Sequence, residues 1–471
     1  MGEQILDNSS LIVGLDIGTT NVKAVVADAS SDQLRIIGSA SVPTAGMDHG
    51  NIVDIDQTAN AISTVLANVE EKTNTKINRI VTGIPVSMLQ LENARGVVNV
   101  SDVAREINDE DVQRVTANAL SAGAHDGREV ITFLPLKFRV DNEDKIIDPR
   151  KMIGMSLEVR GILLTAPKAA LHNIKKAIER AGYVNNFFVA APLAVAEVAL
   201  DEGERKFGTI LLDIGGGQTT ATIIRDSKIT YATVDLEAGD DLTRDISTVL
   251  NTSLAEAEKV KIDFAVADPT KAKADNQVPV SVVGKESPSQ ITEDYLAEIV
   301  YARLEQILSR IGRGLDSHNA FDLPGGIVIT GGTSALPGLD QLIADTYQVN
   351  ARVYTPDQMG LRDARYATGY GIVNYAYNLH DIDFLVNSVV NSNTLRVAPN
   401  SQINNELDNS KFFKRLQPSS ESKTKEDYNS NKARMNNARV HETAEKQNKV
   451  PNQPNKIKKR RVKDLLKKFF D

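Results

Sequence analysis

The sequence predicts an α/β protein built from two related lobes that face each other across one site. Three observations predict it. First, residues 12–27 read Ile-Val-Gly-Leu-Asp16-Ile-Gly18-Thr19-Thr20-Asn21-Val-Lys23-Ala-Val-Val-Ala, and residues 210–224 read Ile-Leu-Leu-Asp213-Ile-Gly215-Gly216-Gly217-Gln-Thr219-Thr220-Ala-Thr-Ile-Ile. Aligning Asp16 with Asp213 also matches Ile17 with Ile214 and Gly18 with Gly215. Each copy reads as a strand, a tight turn and a returning strand. Second, strand-like and helix-like segments alternate from 11 to 378 with short polar connections, the pattern of an α/β architecture. Third, Ile327-Val-Ile-Thr-Gly331-Gly332-Thr333-Ser334 is another apolar strand feeding a glycine turn.

The chain has 471 residues, 41% hydrophobic and 25% charged, and is long enough for several cores. It has no cysteine, which excludes disulfides and thiolate metal sites and agrees with a reducing cytoplasm. The first residues carry no basic-then-apolar leader, Leu6 stands where a myristoylation pattern wants Ser or Thr, and no apolar run nears the roughly 20 residues of a membrane span. The net charge of −8 is unevenly spread: residues 391–471 hold 19 Lys and Arg against 9 Asp and Glu, a net of +10, so the remainder carries −18. An acidic body argues against nucleic acid as its partner and raises the question of what the basic tail touches.

In the first turn, small residues let backbone N–H groups point at an anion without a Cβ in the way. Gly18, Thr19, Thr20 and Asn21 supply that, with threonine hydroxyls as extra donors. Lys23 adds charge or is simply a solvated strand residue. Asp16, ending an apolar strand, is costly without a cation or donor, and a hydrated Mg²⁺ bridging phosphates would be one. The second turn repeats the arrangement with Gly215, Gly216, Gly217 and Thr219, and with Asp213 on the second metal-side position. Either turn alone is also a plain glycine hairpin; two copies with Asp at the same offset favour a phosphate clamp. In the third element, Thr333 or Ser334 is expected to cap a following helix marked by Leu339, Leu342 and Ile343. A helix start behind paired glycines suits a phosphate or ribose. No Gly-Lys-Ser/Thr follows, so this is not a Walker loop.

Three such elements resemble the actin-like ATPase superfamily, with its duplicated ribonuclease-H-like lobes. Ala191-Pro192-Leu-Ala-Val-Ala-Glu197 resembles its first connecting helix and Ala367-Thr-Gly369-Tyr-Gly371 its second, where small residues would let two helices cross at a hinge. Ala257-Glu258-Lys259-Val260-Lys261 resembles the segment whose Glu and Lys reach the adenosine, although the same pattern also suits an ordinary helix surface. Within the superfamily, residues 84–162 resemble the subdomain inserted in the FtsA division proteins. Asp111-Val-Gln-Arg-Val follows the start of a helix running from Asn108 to Leu120, and strand-like runs cover 129–134, 138–140 and 157–164. Met152-Ile-Gly154-Met-Ser-Leu-Glu158 carries the likeness further, with Lys151 where that family usually has Gly.

Residues 391–455 hold 13 Asn and few large apolar side chains, the composition of a disordered linker. Beyond it, Ile457, Val462, Leu465, Leu466, Phe469 and Phe470 fall on one side of a helix, with eight basic residues among 456–468, including Arg460, Arg461, Lys467 and Lys468. A short basic amphipathic helix lies in a membrane interface, each nearby basic residue adding on the order of 1 kcal/mol on anionic lipid. A nuclear-localisation or nucleic-acid tail would not need the paired Leu and Phe.

The resemblance implies a domain plan. It has 10–83 plus 163–202 as first lobe, 84–162 as inserted subdomain, 203–240 plus 313–390 as second lobe and 241–312 as its small subdomain. A linker at 391–455 and a membrane-targeting helix at 456–471 complete it. It further implies ATP and Mg²⁺ as cofactors, with Gly239, Glu258 and Lys261 joining the glycine turns at the nucleotide. It implies actin-like filaments of the chain itself, peripheral on the cytoplasmic side of the cell membrane at the septum. The partners implied are the C-terminal peptide of the ring protein FtsZ, other divisome proteins and anionic lipids. Arg303 matches a family arginine facing that acidic peptide, or is a solvated helix residue. Asp16 and Asp213 would serve any hydrolysis. Relatives such as MreB place a water-positioning Glu where this chain has Ala191, Glu197 being the nearest carboxylate on that helix. Slow or negligible turnover is therefore expected. The competing readings are a sugar or carboxylate kinase on the same scaffold, and an MreB-like or pilus-assembly scaffold.

Overall fold

A computed structural model describes residues 11–30, 33–122 and 127–395. The residues of the linker beyond 395 and of the C-terminal amphipathic segment lie outside the described residues.

Two five-stranded sheets carry the architecture, and they have the same topology. In the first, the order across the sheet is Val184–Ala190, Arg79–Ile84, Leu11–Ile17, Asn21–Asp28, Arg35–Pro43. In the second, read from the other edge, it is Ala351–Val353, Ile327–Thr330, Thr209–Ile214, Thr219–Arg225, Lys228–Asp235. In each sheet the strand ending in Asp-Ile is central. The next two strands form an antiparallel meander on one side of it, and later strands add in parallel on the other. The doubled motif in the sequence is thus the trace of a doubled lobe. The central strands read as continuous apolar runs because helices cover the sheets. In the first lobe, Ile62, Val65 and Leu66 of helix Ile55–Thr73 and Leu171 and Ile174 of helix Lys168–Arg180 share a core with Val13, Leu15 and Ile80.

Two helices join the lobes. Ala191–Ala199, with Pro192 in its first turn, crosses Ala367–Asn378. Small residues set the crossing: a Cβ on Gly371 would lie 2.6 Å from the Ala194 carbonyl oxygen, and one on Gly14 would lie 2.8 Å from that of Gly369. Leu193, Val195 and Ala196 pack with Leu211, Ile224 and Val328 of the second sheet, and Ile372 and Val373 pack with Ile12, Val25 and Val81 of the first.

The inserted subdomain is a four-stranded sheet ordered Glu143–Ile146, Arg128–Val140, Ser156–Pro167, Gln90–Asn99, with helix Asp109–Ala122 against it. Where the sequence suggests two strands around Pro135 there is one, Arg128–Val140, bulged against Arg160 and Gly161. Two boundaries differ from the expected plan. Residue 312 falls inside a single helix, Glu293–Asp316, which shares one core with the second sheet. Residues 367–390 do not complete the second lobe. Ala367–Asn378 lies under the first sheet, and helix Asp381–Leu395 buries Ile382, Val386, Val389 and Val390 among Phe133, Phe138, Leu157 and Leu163 of the inserted subdomain. That helix runs through 391–395, which composition alone assigns to the linker.

Candidate functional site

The two Asp-Ile-Gly turns close by the same hydrogen bond. Gly18 N–H donates to the Asn21 carbonyl at 3.1 Å, and Gly215 N–H donates to the Gln218 carbonyl at 3.1 Å. Each turn follows the last residue of its central strand, so both lie at the same end of their sheets, where ligands of open α/β sheets bind. They touch each other. A Cβ on Gly216 would lie 1.7 Å from Thr20 Oγ1, and one on Gly217 would lie 2.5 Å from Thr19 Cγ2. Thr20 Oγ1 donates across the lobes to Asp240, 3.1 Å from each carboxylate oxygen. Thr19 Oγ1 accepts from Gly50 N–H at 2.9 Å, which brings the Met47–Ile52 hairpin onto the first turn.

Beneath the turns lies a charge cluster. Asp16 and Lys23 face each other on adjacent strands and form an ion pair at 2.9 Å. Burial opposes the lysine's charge, but Asp16 and then Asp213 outweigh it and hold its proton more firmly than usual. Lys23 is therefore a paired, largely buried residue rather than a solvated strand residue. Asp213 is pushed up to about 6, first by burial and then by the charge of Asp16, with Lys23 pulling the other way. Gly331, at φ +93°, approaches so closely that a Cβ would lie 2.3 Å from Asp213 Oδ1. Glycine is the residue that tolerates both the angle and the contact.

Thr333, Gly239, Lys261 and Thr219 gather around the second turn. Thr333 Oγ1 donates to the Gly215 carbonyl at 2.7 Å, and Gly239 N–H donates to the same oxygen at 3.1 Å. Lys261, buried, donates to the Gly239 carbonyl and to Thr243 Oγ1, each at 2.8 Å, and pairs with Glu258 at 2.7 Å. Thr219 Oγ1 donates to the Glu237 carbonyl, which fixes the returning strand. Neither Thr333 nor Ser334 caps the next helix: Ser334 Oγ donates to the Gly331 carbonyl, Gly332–Ala335 is one turn of 3₁₀ helix, and the α-helix begins at Leu339 after Gly338. Their hydroxyls are used up inside the glycine turn. Asp240 and Thr243 escaped the sequence reading; an acid directly after Gly239 was the available signal.

Glu197 and Arg303 are placed differently from expectation. Helix Ala191–Ala199 starts at the turn end of the first sheet, and Glu197 is six residues further, about 9 Å along the axis. The groups acting on its carboxyl are Arg205, Asn378 and Asp383, not the phosphate turns. Arg303 is held by its own lobe. It donates to both oxygens of Asp245, at 2.7 and 2.8 Å, and to Glu237 at 2.8 Å, while Arg310 ties Asp235 to the same Glu237. That network crosslinks helix Glu293–Asp316 to its neighbours.

Comparison with known proteins agrees with this geometry. The family model "Cell division protein FtsA" matches residues 210–371, and "SHS2 domain inserted in FTSA" matches residues 87–165. Cell division protein FtsA of Enterococcus hirae is 41% identical over 399 residues, covering 85% of this chain and 90% of that protein. The chain belongs to the FtsA family of cell division proteins. FtsA of Enterococcus faecalis is 42% identical over 374 residues, 79% of this chain and 85% of its own, and FtsA of Bacillus subtilis is 38% identical over 371 residues, 79% and 84%. A chain of the PilM–PilN type IV pilus biogenesis complex aligns with a TM-score of 0.54 at 19% identity, over 77% of this chain and 98% of that one, a likeness of fold alone. The fold is the actin-like one, and the four-stranded insert is the subdomain that marks FtsA within it.

The residues present suit ATP. Backbone N–H groups of paired glycine turns that meet without room for a Cβ, and a lysine beside two aspartates, would suit a polyphosphate. Among the described residues no three acidic or histidine side chains gather for a metal. A cation here would take most of its ligands from phosphate and water, as Mg²⁺ does.

Proposed function

We propose that the protein binds Mg-ATP between its lobes, assembles with copies of itself into actin-like filaments on the inner face of the cytoplasmic membrane, and there anchors the FtsZ ring and recruits other divisome proteins. The observation that carries the ATP reading is the pair of identically closed turns in contact across the lobes, with Lys261 and Thr333 gathered on the second. N–H groups of Gly18, Thr19, Thr20, Gly215, Gly216 and Gly217 would hold the phosphates. Asp16 and Asp213 would meet the cation through water, and Glu258, Lys261, Gly331 and Gly332 would face the nucleoside. The bound nucleotide supplies a phosphoanhydride and its charge.

Turnover is slow on this reading, because Ala191 offers no carboxylate to orient water and Glu197 sits about 9 Å further along its helix. ATP then acts as a conformational signal. Family membership supports the FtsZ C-terminal peptide as partner on the small subdomain of the second lobe, where Arg303, oriented by Asp245 and Glu237, is the candidate cation for its acidic residues. The basic amphipathic residues 456–471 support membrane attachment, and no described helix is long and apolar enough to cross a membrane.

The test is a titration of purified full-length protein with a fluorescent ATP analogue, alongside phosphate release on lipid vesicles. Binding is expected, lost in Asp213→Ala, with phosphate release at or near background. Rapid saturable release that disappears in Asp213→Ala would overturn the signalling role in favour of a true ATPase.

A further inference from the structure

The geometry points to Asp240 as the residue that makes the two phosphate turns respond to a terminal phosphate: with Thr20 it forms a latch between the lobes that a third phosphate must open. The inference rests on the ATP reading above. Asp240 is the second residue of helix Gly239–Leu250, and its N–H donates to the Gly216 carbonyl at 2.8 Å, so its backbone belongs to the second turn. Its side chain belongs to the first, since Thr20 Oγ1 lies 3.1 Å from both carboxylate oxygens. Between them is no spare space: a Cβ on Gly216 would meet Thr20 Oγ1 at 1.7 Å and Asp240 Oδ1 at 3.1 Å.

A hydroxyl has one proton to donate. Thr20 gives it to Asp240 or to a phosphate oxygen, not to both. Asp240 also opposes an incoming phosphate by charge, and at a half-buried site that opposition is stronger than in water. No described residue forms an ion pair with Asp240, and Lys261, whose charge acts on it, is already paired with Glu258. A diphosphate that stops short of Thr20 leaves the latch closed. A triphosphate takes the Thr20 hydroxyl, releases Asp240 and frees the lobes to move about the crossing of Ala191–Ala199 and Ala367–Asn378. Asp240 thereby sets the preference between ATP and ADP and couples it to lobe movement.

The experiment uses full-length protein, Asp240→Ala, Thr20→Val and the double variant. Amide hydrogen exchange is read without nucleotide, and affinity is read for the magnesium salts of ADP and a non-hydrolysable ATP analogue. Asp240→Ala should speed exchange at 18–21 and 215–218 and raise the analogue-to-ADP affinity ratio roughly tenfold, the scale of one hydrogen bond to a charged group. Thr20→Val should speed the same exchange without raising the ratio, because the donor for phosphate is lost, and adding Asp240→Ala to it should change the exchange no further. Unchanged exchange in both single variants overturns the latch. A ratio that falls in Asp240→Ala overturns it too, and makes Asp240 a partner of the bound cation. If the parent protein binds neither nucleotide, the ATP reading fails, while the exchange comparison still decides whether the latch exists.

Discussion

Lys151 shows how a single residue can depart from a family pattern and keep the local structure. The turn before Met152 runs through a left-handed backbone, φ +69° at Lys151, a conformation that costs an L-residue with a Cβ roughly 1–2 kcal/mol. Its N–H still donates to the Ile107 carbonyl at 2.9 Å, so surrounding bonds hold the turn in place. Lys151→Gly should therefore raise the unfolding free energy by about 1 kcal/mol, measured by urea denaturation with an unchanged m-value. Glu197 makes the opposite kind of prediction. Burial pushes its carboxyl up to about 7; Arg205 and Asn378 pull it down and Asp383 pushes it further, and Oε2 has no hydrogen-bond partner among the described residues. An acid with its folded pKa raised is held best in its protonated form. Its penalty is absent below the unfolded value near 4.5 and grows as pH rises through about 7. Asp213 and Asp383, also raised, add to the same trend. Glu197→Gln should be more stable than the parent at pH 8, by about 2 kcal/mol, and no more stable at pH 4. Thermal melts across that range would show whether the two curves converge at low pH.

At the scale of elements, the hinge and the last described helix carry the consequences. Gly371 stands where the two connecting helices nearly touch, 2.6 Å from the Ala194 carbonyl for an added Cβ. Gly371→Val has nowhere to place its methyl groups and should cost about 2 kcal/mol or more, because backbone on the far side cannot yield as a side chain would. Calorimetry of the purified variant would read that loss. Helix Asp381–Leu395 fastens the end of the hinge to the inserted subdomain. Val386 is fully buried, and the Asn387 side-chain oxygen accepts from Thr132 Oγ1 at 2.7 Å and from Phe133 N–H at 3.3 Å. Val386→Asp buries an unpaired charge there and should loosen the insert before the lobes. Hydrogen exchange rising in 90–167 ahead of 209–235 would bear this out; equal rises would mean that the helix stabilises the molecule as a whole. The sequence reading placed 381–390 with the second lobe and 391–395 in the linker, because an amphipathic face does not say which of several apolar surfaces it covers.

Across the whole molecule, charge divides the sequence into an acidic body and a basic segment at 391–471. Vesicle flotation should show the full chain bound to anionic lipid and the chain lacking 456–471 unbound, with binding weakened by salt; binding that survives the deletion would remove the anchor from the proposal. Much of the architecture was legible beforehand. The repeated Asp-Ile-Gly turn announced two lobes, because a strand, a phosphate-sized turn and a returning strand leave the same local pattern wherever they occur. The glycines at 215–217 and 331–332 were legible for the same reason. Chain position was a poor guide wherever distant segments meet. The sequence placed Glu197 on the hinge helix beside the position of the missing acid, yet helical rise carries its carboxyl away from the turns. It singled out Arg303 on its helix, but not the Asp245 and Glu237 that hold it, 58 and 66 positions away. Local pattern determined the strands, the glycine turns, the insert and the family, because each depends on residues within a few positions. Tertiary structure alone decided that Thr20 bonds to Asp240, 220 positions distant, and that residues 381–390 complete the core of the insert. Such pairings are selected by which surfaces meet when the two sheets close on each other, and no local periodicity encodes that.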